Sequence, residues 1–178
     1  MSLFLIETSV QKEDQKKEVI EKKINNIEHN LQEIAASLVE VQIAKDFSHI
    51  FLIVNTNDDA IASEIIENEA IDVTVRKQVR LIGESLDDVK KKKDKVNYVV
   101  EWNLPEHLTM EQYLERKQKN SVYYEEVPEV SFARTYVCED MTKCLCFYDA
   151  PNQELVEKAR EAVKAPIDAI TELNQNEG

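Results

Sequence analysis

The chain repeats its own pattern at an offset of 94 residues, which places Phe4 on Tyr98. The match continues without a gap, so that segment 43–55 falls on segment 137–149. Few residues are identical, but apolar positions match apolar positions and the predicted turns coincide. A gapless match of this kind favours a duplication. The fold must therefore be one that a single half of the chain can form.

Each half predicts the same order of elements: an apolar strand, a helix, two strands in a hairpin, a second helix and a last strand. In the first half, apolar residues from Ile20 to Ile34 recur at helical spacing. In the second half, the first helix is expected to begin near Thr109, a residue suited to cap it. The predicted hairpin strands span 37–45 and 48–55 in the first half, and 130–138 and 142–149 in the second.

This order is that of the ferredoxin-like fold, in which two helices cover one face of a four-stranded antiparallel sheet. We therefore predict an α+β protein made of tandem ferredoxin-like repeats, with residues 1–82 and 96–178 joined by a linker over 83–95. Each repeat leaves one sheet face bare. Two repeats would cover these faces as a pseudo-dimeric α/β barrel or a sheet-on-sheet sandwich.

Composition excludes several classes of function. The net charge of −13 makes nucleic acid an unexpected partner, because phosphate backbones bind clustered Lys and Arg. The chain has only two glycines, Gly83 and Gly178, so phosphate-binding glycine loops are absent. No apolar run approaches the roughly 20 residues of a membrane span. With no signal-peptide pattern at the start, we expect a cytoplasmic protein with reduced thiols.

All three cysteines, Cys138, Cys144 and Cys146, lie within nine positions of one predicted hairpin. Hairpin register decides which sheet face each one occupies. Pairing Thr135 with Cys146 and Val137 with Cys144 places Cys144 and Cys146 on the helix-covered face and Cys138 on the other. The corresponding pairs of the first repeat are then wholly apolar: Val39–Val54, Val41–Leu52 and Ile43–Ile50. We predict core packing for Cys144 and Cys146, with a metal or redox role as the alternative.

The same register gathers polar side chains on the face away from the helices in the second half. A carboxylate facing the helices would be unpaired in the core, so Glu101 is expected on this face, close to Lys143. Arg134 and Lys143 would suit an anionic ligand, to which Tyr136 can donate a hydrogen bond. The candidate ligand-binding residues are Glu101, Arg134, Tyr136 and Lys143.

The equivalent face of the first half predicts a candidate metal site. Imidazole together with carboxylates suits nickel, zinc or similar divalent transition metals. The candidate metal ligands are Glu7, Glu40 and His49. For both sets the alternative is structural, because the same residues can form salt bridges between the two halves. No catalytic residue is assigned.

The second half also resembles a known family. The resemblance rests on "YVVEWNLP" (98–105), "RTYVCEDMTKCLCFYDAP" (134–151) and "APID" (165–168). It covers about 97–173, and the first half follows the pattern only in outline. The family consists of small ferredoxin-like proteins named for a nickel-binding member. The resemblance implies the ferredoxin-like sheet, dimer-like pairing and transition-metal binding.

Three functions remain open from the sequence. We predict a non-enzymatic binding protein for a transition metal such as nickel, or for a small anionic ligand, held between the two sheets. The first alternative is a small enzyme of the dimeric α/β-barrel type, an isomerase or a cofactor-independent oxygenase. The second is a purely structural or partner-binding module. The sequence does not identify the ligand.

Overall fold

The computed structural model describes residues 1–91 and 96–174. Contacts within the chain define two compact units. The first comprises Met1–Val79 and Leu86–Lys91, and the second comprises the described parts of Arg80–Ser85 and Lys92–Gly178. The predicted linker, 83–95, therefore holds a short helix that groups with the first unit, and its residues 92–95 lie outside the described part.

The first unit has a four-stranded antiparallel sheet with the strand order β2-β3-β1-β4. A short 3-10 helix over Lys12–Asp14 follows the first strand. The elements are β1 (Ser2–Val10), α1 (Lys17–Glu33), β2 (Ser37–Ile43), β3 (His49–Thr56), α2 (Asp59–Glu67), β4 (Ile71–Ile82) and α3 (Leu86–Lys91).

The second unit has the antiparallel strand order β6-β7-β5-β8. Its elements are β5 (Tyr98–Asn103), α4 (Met110–Asn120), a 3-10 helix (Ser121–Glu126), β6 (Ser131–Cys138), β7 (Lys143–Asp149), α5 (Gln153–Ala162) and β8 (Ala169–Glu172). Both units thus have the predicted order β-α-β-β-α-β. Among the described residues, no helix is both long and apolar enough to cross a membrane.

Helices cover one face of the sheet in each unit, and the apolar side chains between them form its core. In the first unit, Ile20 and Ile27 of α1 pack with strand residues such as Leu52. In the second unit, Tyr113 of α4 and Val156 of α5 pack against the strands. Burying one such aliphatic or aromatic side chain contributes roughly 1.5–3 kcal/mol.

Local geometry repeats at the same offset as the sequence. Phe47 and Met141 both have positive φ in their hairpin turns, at 64° and 61°. Asp58 and Asn152 both cap the second helix, each accepting a hydrogen bond from a backbone N–H three residues later. Turns and helix starts therefore coincide when 94 is added to the residue number, as the sequence match predicts.

The predicted hairpin register is confirmed in the second unit. Thr135 pairs with Cys146, and Val137 pairs with Cys144. Cys144 and Cys146 belong to the core cluster beneath the helices, and the alternation of the strand places Cys138 on the opposite face. In the first unit the predicted pairs Val41–Leu52 and Ile43–Ile50 are also present.

The predicted pair Val39–Val54 is wrong, because β2 contains a β-bulge. Leu38 pairs with Val54 and Glu40 pairs with Ile53, which leaves Val39 as the extra residue. β6 has an equivalent bulge between Phe132 and Arg134. That bulge turns Phe132 to the helix-covered face, although strict alternation from Arg134 predicts the opposite face.

The left-handed residue after α2 allows a direct test of the fold. Ala70 has φ 60°, which costs an L-residue about 1–2 kcal/mol, whereas glycine adopts it freely. Ala70→Gly should therefore stabilise the protein by a net of about 0.5 kcal/mol after the added flexibility of the unfolded chain is subtracted. The same change at exposed Ala60 should destabilise it by at most roughly 0.5 kcal/mol, because Ala60 is the second residue of α2 and does not lie in the helix interior. Urea unfolding measures both, and two effects of the same sign would contradict the assigned backbone geometry.

Candidate functional site

The four predicted ligand-binding residues lie on the predicted face, but ion pairs and aromatic packing occupy them. Lys143 Nζ lies 2.6 Å from Glu101 Oε1, as the register predicts. Arg134 is buried, and its Nη1 lies 3.6 Å from Glu84 Oε1. Tyr136 is also buried, packing edge-to-face on Phe147 with 6.0 Å between ring centroids. Both ion pairs lie within the second unit, and a ligand-binding role for these residues stays a prediction.

The three predicted metal ligands share a sheet face without forming a cluster. Glu7 lies on β1 and Glu40 on β2, with β3 between them, so their backbones are about 10 Å apart. His49 is exposed, and its Nδ1 lies 2.8 Å from Ser48 Oγ. In the part of the chain that the structure describes, no three His, Cys, Asp or Glu side chains converge on a metal-sized space. The predicted trio therefore lacks the geometry of a nickel or zinc site.

The second unit contains a cavity between its helices and its sheet, which we call the α4–α5 cavity. Its volume, counted as space for the centres of water molecules, is about 40 Å³. The lining includes three cations and no carboxylate, although the whole chain carries −13. The lining residues are Trp102, Tyr113, Arg116, Lys117, Asn120, Ser121, Tyr124, Cys146, Arg160, Val163 and Ala165.

Arg160 is the most deeply buried cation of the cavity. It stands one turn after Val156 on the buried stripe of α5, and only 2% of its surface is exposed. Its Nη1 donates to Tyr148 Oη at 3.1 Å and its Nη2 to the carbonyl oxygen of Pro166 at 2.6 Å. Within the described chain, its Nε has no hydrogen-bond partner. A buried guanidinium stays charged, and a charge in the interior requires a compensating charge nearby.

Two tyrosines continue the hydrogen-bond network of Arg160. The hydroxyls of Tyr124 and Tyr148 lie 2.6 Å apart. Burial raises the pKa of both phenols, so both keep their protons at neutral pH. Phe132, which the bulge turned inward, stacks on Tyr124 with 5.5 Å between ring centroids. The network therefore presents neutral hydroxyls and one cation beside the cavity.

Cys146 is the sulfur that lines the cavity. Thr135 and Cys146 are paired across β6 and β7, and Thr135 Oγ1 donates a hydrogen bond to Cys146 Sγ at 3.2 Å. A hydrogen bond from the Cys144 thiol, followed by the charges of Lys117 and Arg160, holds the pKa of Cys146 below its usual value despite burial. Donating that hydrogen bond raises the pKa of Cys144. The pair thus loses its first proton from Cys146.

The other two cations lie on α4. Lys117 Nζ stands 4.3 Å from the ring centroid of Phe132. Arg116 lies over Trp102 at 5.4 Å and donates to the carbonyl oxygen of Lys164. Even with Cys146 ionised, three positive charges face one negative charge. The cavity therefore favours an anion and disfavours a metal cation.

The cavity was not predicted from the sequence. For the helix-covered face of the second half, core packing was the prediction, and a metal or redox role of Cys144 and Cys146 was only the alternative. One residue of the sequence could have indicated the cavity. Arg160 falls on the same helical stripe as the apolar residues Val156 and Val163. A charged residue on a buried stripe is rare unless it has a partner or a function. The positions of Arg116 and Lys117 gave no such signal, since exposed cations on a helix are common.

The comparison with protein families concerns this same unit. The profile described as "Nickel responsive protein SCO4226-like" matches residues 98–173. The resemblance found in the sequence is thereby confirmed for the second half of the chain. A comparison with curated proteins gives no significant match.

Solved structures show the fold of the whole chain. A candidate chlorite dismutase, TA0507, aligns with a TM-score of 0.62 at 10% identity, covering 98% of this chain and 95% of its own. A candidate monooxygenase from Lactobacillus acidophilus NCFM aligns with a TM-score of 0.57 at 10% identity, covering 98% and 94%. These proteins are of the dimeric α/β-barrel class, so the predicted fold class is confirmed. At such low identity, the likeness does not extend to their activities.

The different environments of the three thiols predict that Cys146 ionises at a lower pH than Cys138 and Cys144. Burial raises the pKa of Cys138, whereas the donors and cations around Cys146 lower its pKa. Thiolate absorbance near 240 nm, followed through a pH titration, should therefore show one sulfur that ionises below the usual thiol range. The signal should persist in Cys138→Ser and disappear in Cys146→Ser. Absorbance that develops only above about pH 8.5, the range of a free thiol, would contradict this assignment.

Proposed function

We propose that the protein is a non-enzymatic binding protein for a small anionic ligand, held in the α4–α5 cavity of its second unit. The observation that carries the proposal is the buried guanidinium of Arg160. Arg160 lines the cavity, its Nε has no hydrogen-bond partner among the described residues, and no described carboxylate lies within ion-pair distance of it. A small oxyanion or carboxylate would accept that N–H and balance the excess charge.

The lining supports this ligand class in shape as well as charge. Neutral phenol groups of Tyr113 and Tyr124 border the space, and Asn120 and Ser121 add polar groups. A volume of about 40 Å³ admits only a small group, since one water needs about 10–15 Å³ on this measure. The ligand is therefore a small anion, or the anionic end of a larger molecule that extends into solvent.

Thermal unfolding in different sodium salts at equal ionic strength tests anion binding. Phosphate or acetate at about five times its Kd should stabilise the protein by about 1 kcal/mol, which raises Tm by about 2–4 °C relative to chloride. Arg160→Met should remove the shift, because it deletes the buried charge at similar length. Lys117→Met should weaken the anion-dependent shift. Because Lys117 is less buried than Arg160, this variant tests the proposal even if Arg160→Met does not fold.

Lys119→Ala is the matched control. Lys119 lies on the same helix, is exposed and does not line the cavity. Its substitution should leave the anion-dependent shift unchanged. Equal Tm values in all salts would contradict the proposal, as would a full shift in both Arg160→Met and Lys117→Met.

Metal binding is a second candidate, favoured by the match of residues 98–173 to a nickel responsive family. The described residues do not fit a nickel ion well, because they provide no cluster of three ligands and the cavity is cationic. The candidate metal ligands Glu7, Glu40 and His49 lie outside the matched half, and they would bind a metal together only after rearrangement.

Isothermal titration of the metal-free chain with Ni²⁺ and Zn²⁺ tests this second candidate. Binding through the candidate residues should be lost in His49→Ala and retained in His29→Ala, which removes another exposed histidine. From the geometry we expect only heat of dilution. Saturable heat that depends on His49 would support the metal function over our first proposal.

A further inference from the structure

We infer that Cys146 is a site of oxidation by hydrogen peroxide, which enters the α4–α5 cavity and converts the thiol to a sulfenic acid. Thr135 and Arg160 are the residues that position and assist this step. The inference goes beyond anion binding and does not depend on it, because the oxidant is a neutral molecule.

Access distinguishes Cys146 from the other two thiols. All three cysteines are buried, at 0–1% exposure, but Cys146 lines the cavity whereas Cys138 and Cys144 do not. Hydrogen peroxide has two heavy atoms, and a volume of about 40 Å³ exceeds the 10–15 Å³ that one water needs on this measure. The oxidant can therefore contact this sulfur without unfolding of the unit.

The surroundings of the sulfur favour its reactive form. Thiolates, not thiols, attack peroxides. Thr135 Oγ1 donates to Cys146 Sγ at 3.2 Å, and no other hydrogen bond involves the Thr135 side chain within the described chain. Lys117 and Arg160 contribute positive charge around the same sulfur. These groups stabilise an anion at a buried position that would otherwise hold a neutral thiol.

The oxidation step balances with one peroxide and one proton. The thiolate sulfur attacks one peroxide oxygen, so that an S–O bond forms as the O–O bond breaks. Sulfur is oxidised by two electrons and the peroxide is reduced. The departing hydroxide takes a proton from solvent and leaves as water. While its charge develops, it can accept a hydrogen bond from the unpartnered Nε–H of Arg160.

The product is expected to persist in the folded chain. Cys144 and Cys146 follow each other on the same face of β7, which separates their Cα atoms by about 6.5–7 Å. That is at the limit for a disulfide, and the parallel Cβ directions are unfavourable for one. Cys144 therefore does not rapidly convert the sulfenic acid to a disulfide.

Site-resolved mass spectrometry tests the inference. The Cys144→Ser chain, which keeps a hydroxyl donor beside Cys146, is exposed to hydrogen peroxide while folded. It is then quenched into denaturant containing dimedone, so that trapping does not depend on the size of the cavity. Trypsin separates Cys138 from Cys146 by cleaving after Lys143. We expect Cys146 to be labelled at least about tenfold faster than Cys138, which serves as an internal control.

Variants then test the assigned roles. Thr135→Val keeps the volume of the side chain and should slow labelling of Cys146 several-fold, because it removes one donor. Arg160→Met should slow it by about tenfold or more if it folds, as judged by circular dichroism. Lys119→Ala should change nothing. Equal labelling of Cys138 and Cys146, or an unchanged Cys146 rate in Thr135→Val, would overturn the inference whatever the outcome of the anion-binding experiment.

Discussion

The register of the hairpin between β6 and β7 is the constraint on which the second unit depends. Because side chains alternate along a strand, a slip of one residue would exchange every side chain between the two faces. The observed register places Thr135 and Cys146 beneath the helices in one row. The next row, with Tyr136 and Glu101, faces away from them. One pairing therefore decides which polar groups reach the α4–α5 cavity and which form ion pairs on the opposite face.

A basic cavity in an acidic protein requires a physical explanation. Moving Arg160 into the interior removes its hydration, which costs several kcal/mol unless nearby groups compensate. Tyr148 and the carbonyl of Pro166 compensate in part, and Cys146 would add a negative charge when it is ionised. With Arg116 and Lys117 at the same cavity, positive charge still exceeds negative charge. This excess explains why anion binding and thiolate chemistry are proposed at one place and metal binding is not.

Strand order, helix positions and the second-unit register followed from the sequence, because each depends on hydrophobic periodicity and local turn chemistry. The helix caps at Asp58 and Asn152 also lie 94 residues apart, as the repeat predicts. The bulges in β2 and β6 did not follow. In the first unit the extra residue is Val39. It alternates regularly with Val41 and Ile43 across the polar Glu40 and Gln42, so periodicity shows no interruption there. A bulge adjusts strand twist to the packing of the sheet, and local sequence does not encode that packing.

For the candidate site, the sequence alone determined which residues face the helices and which do not. It correctly placed Cys146 inside and Lys143 beside Glu101, since alternation and burial are properties of single strands. Only the tertiary structure decided that Arg134 is already paired with Glu84, and that Arg160 and Cys146 line one cavity. These facts depend on how α5 packs on the sheet, and contacts between elements distant along the chain leave no periodic signature in the sequence.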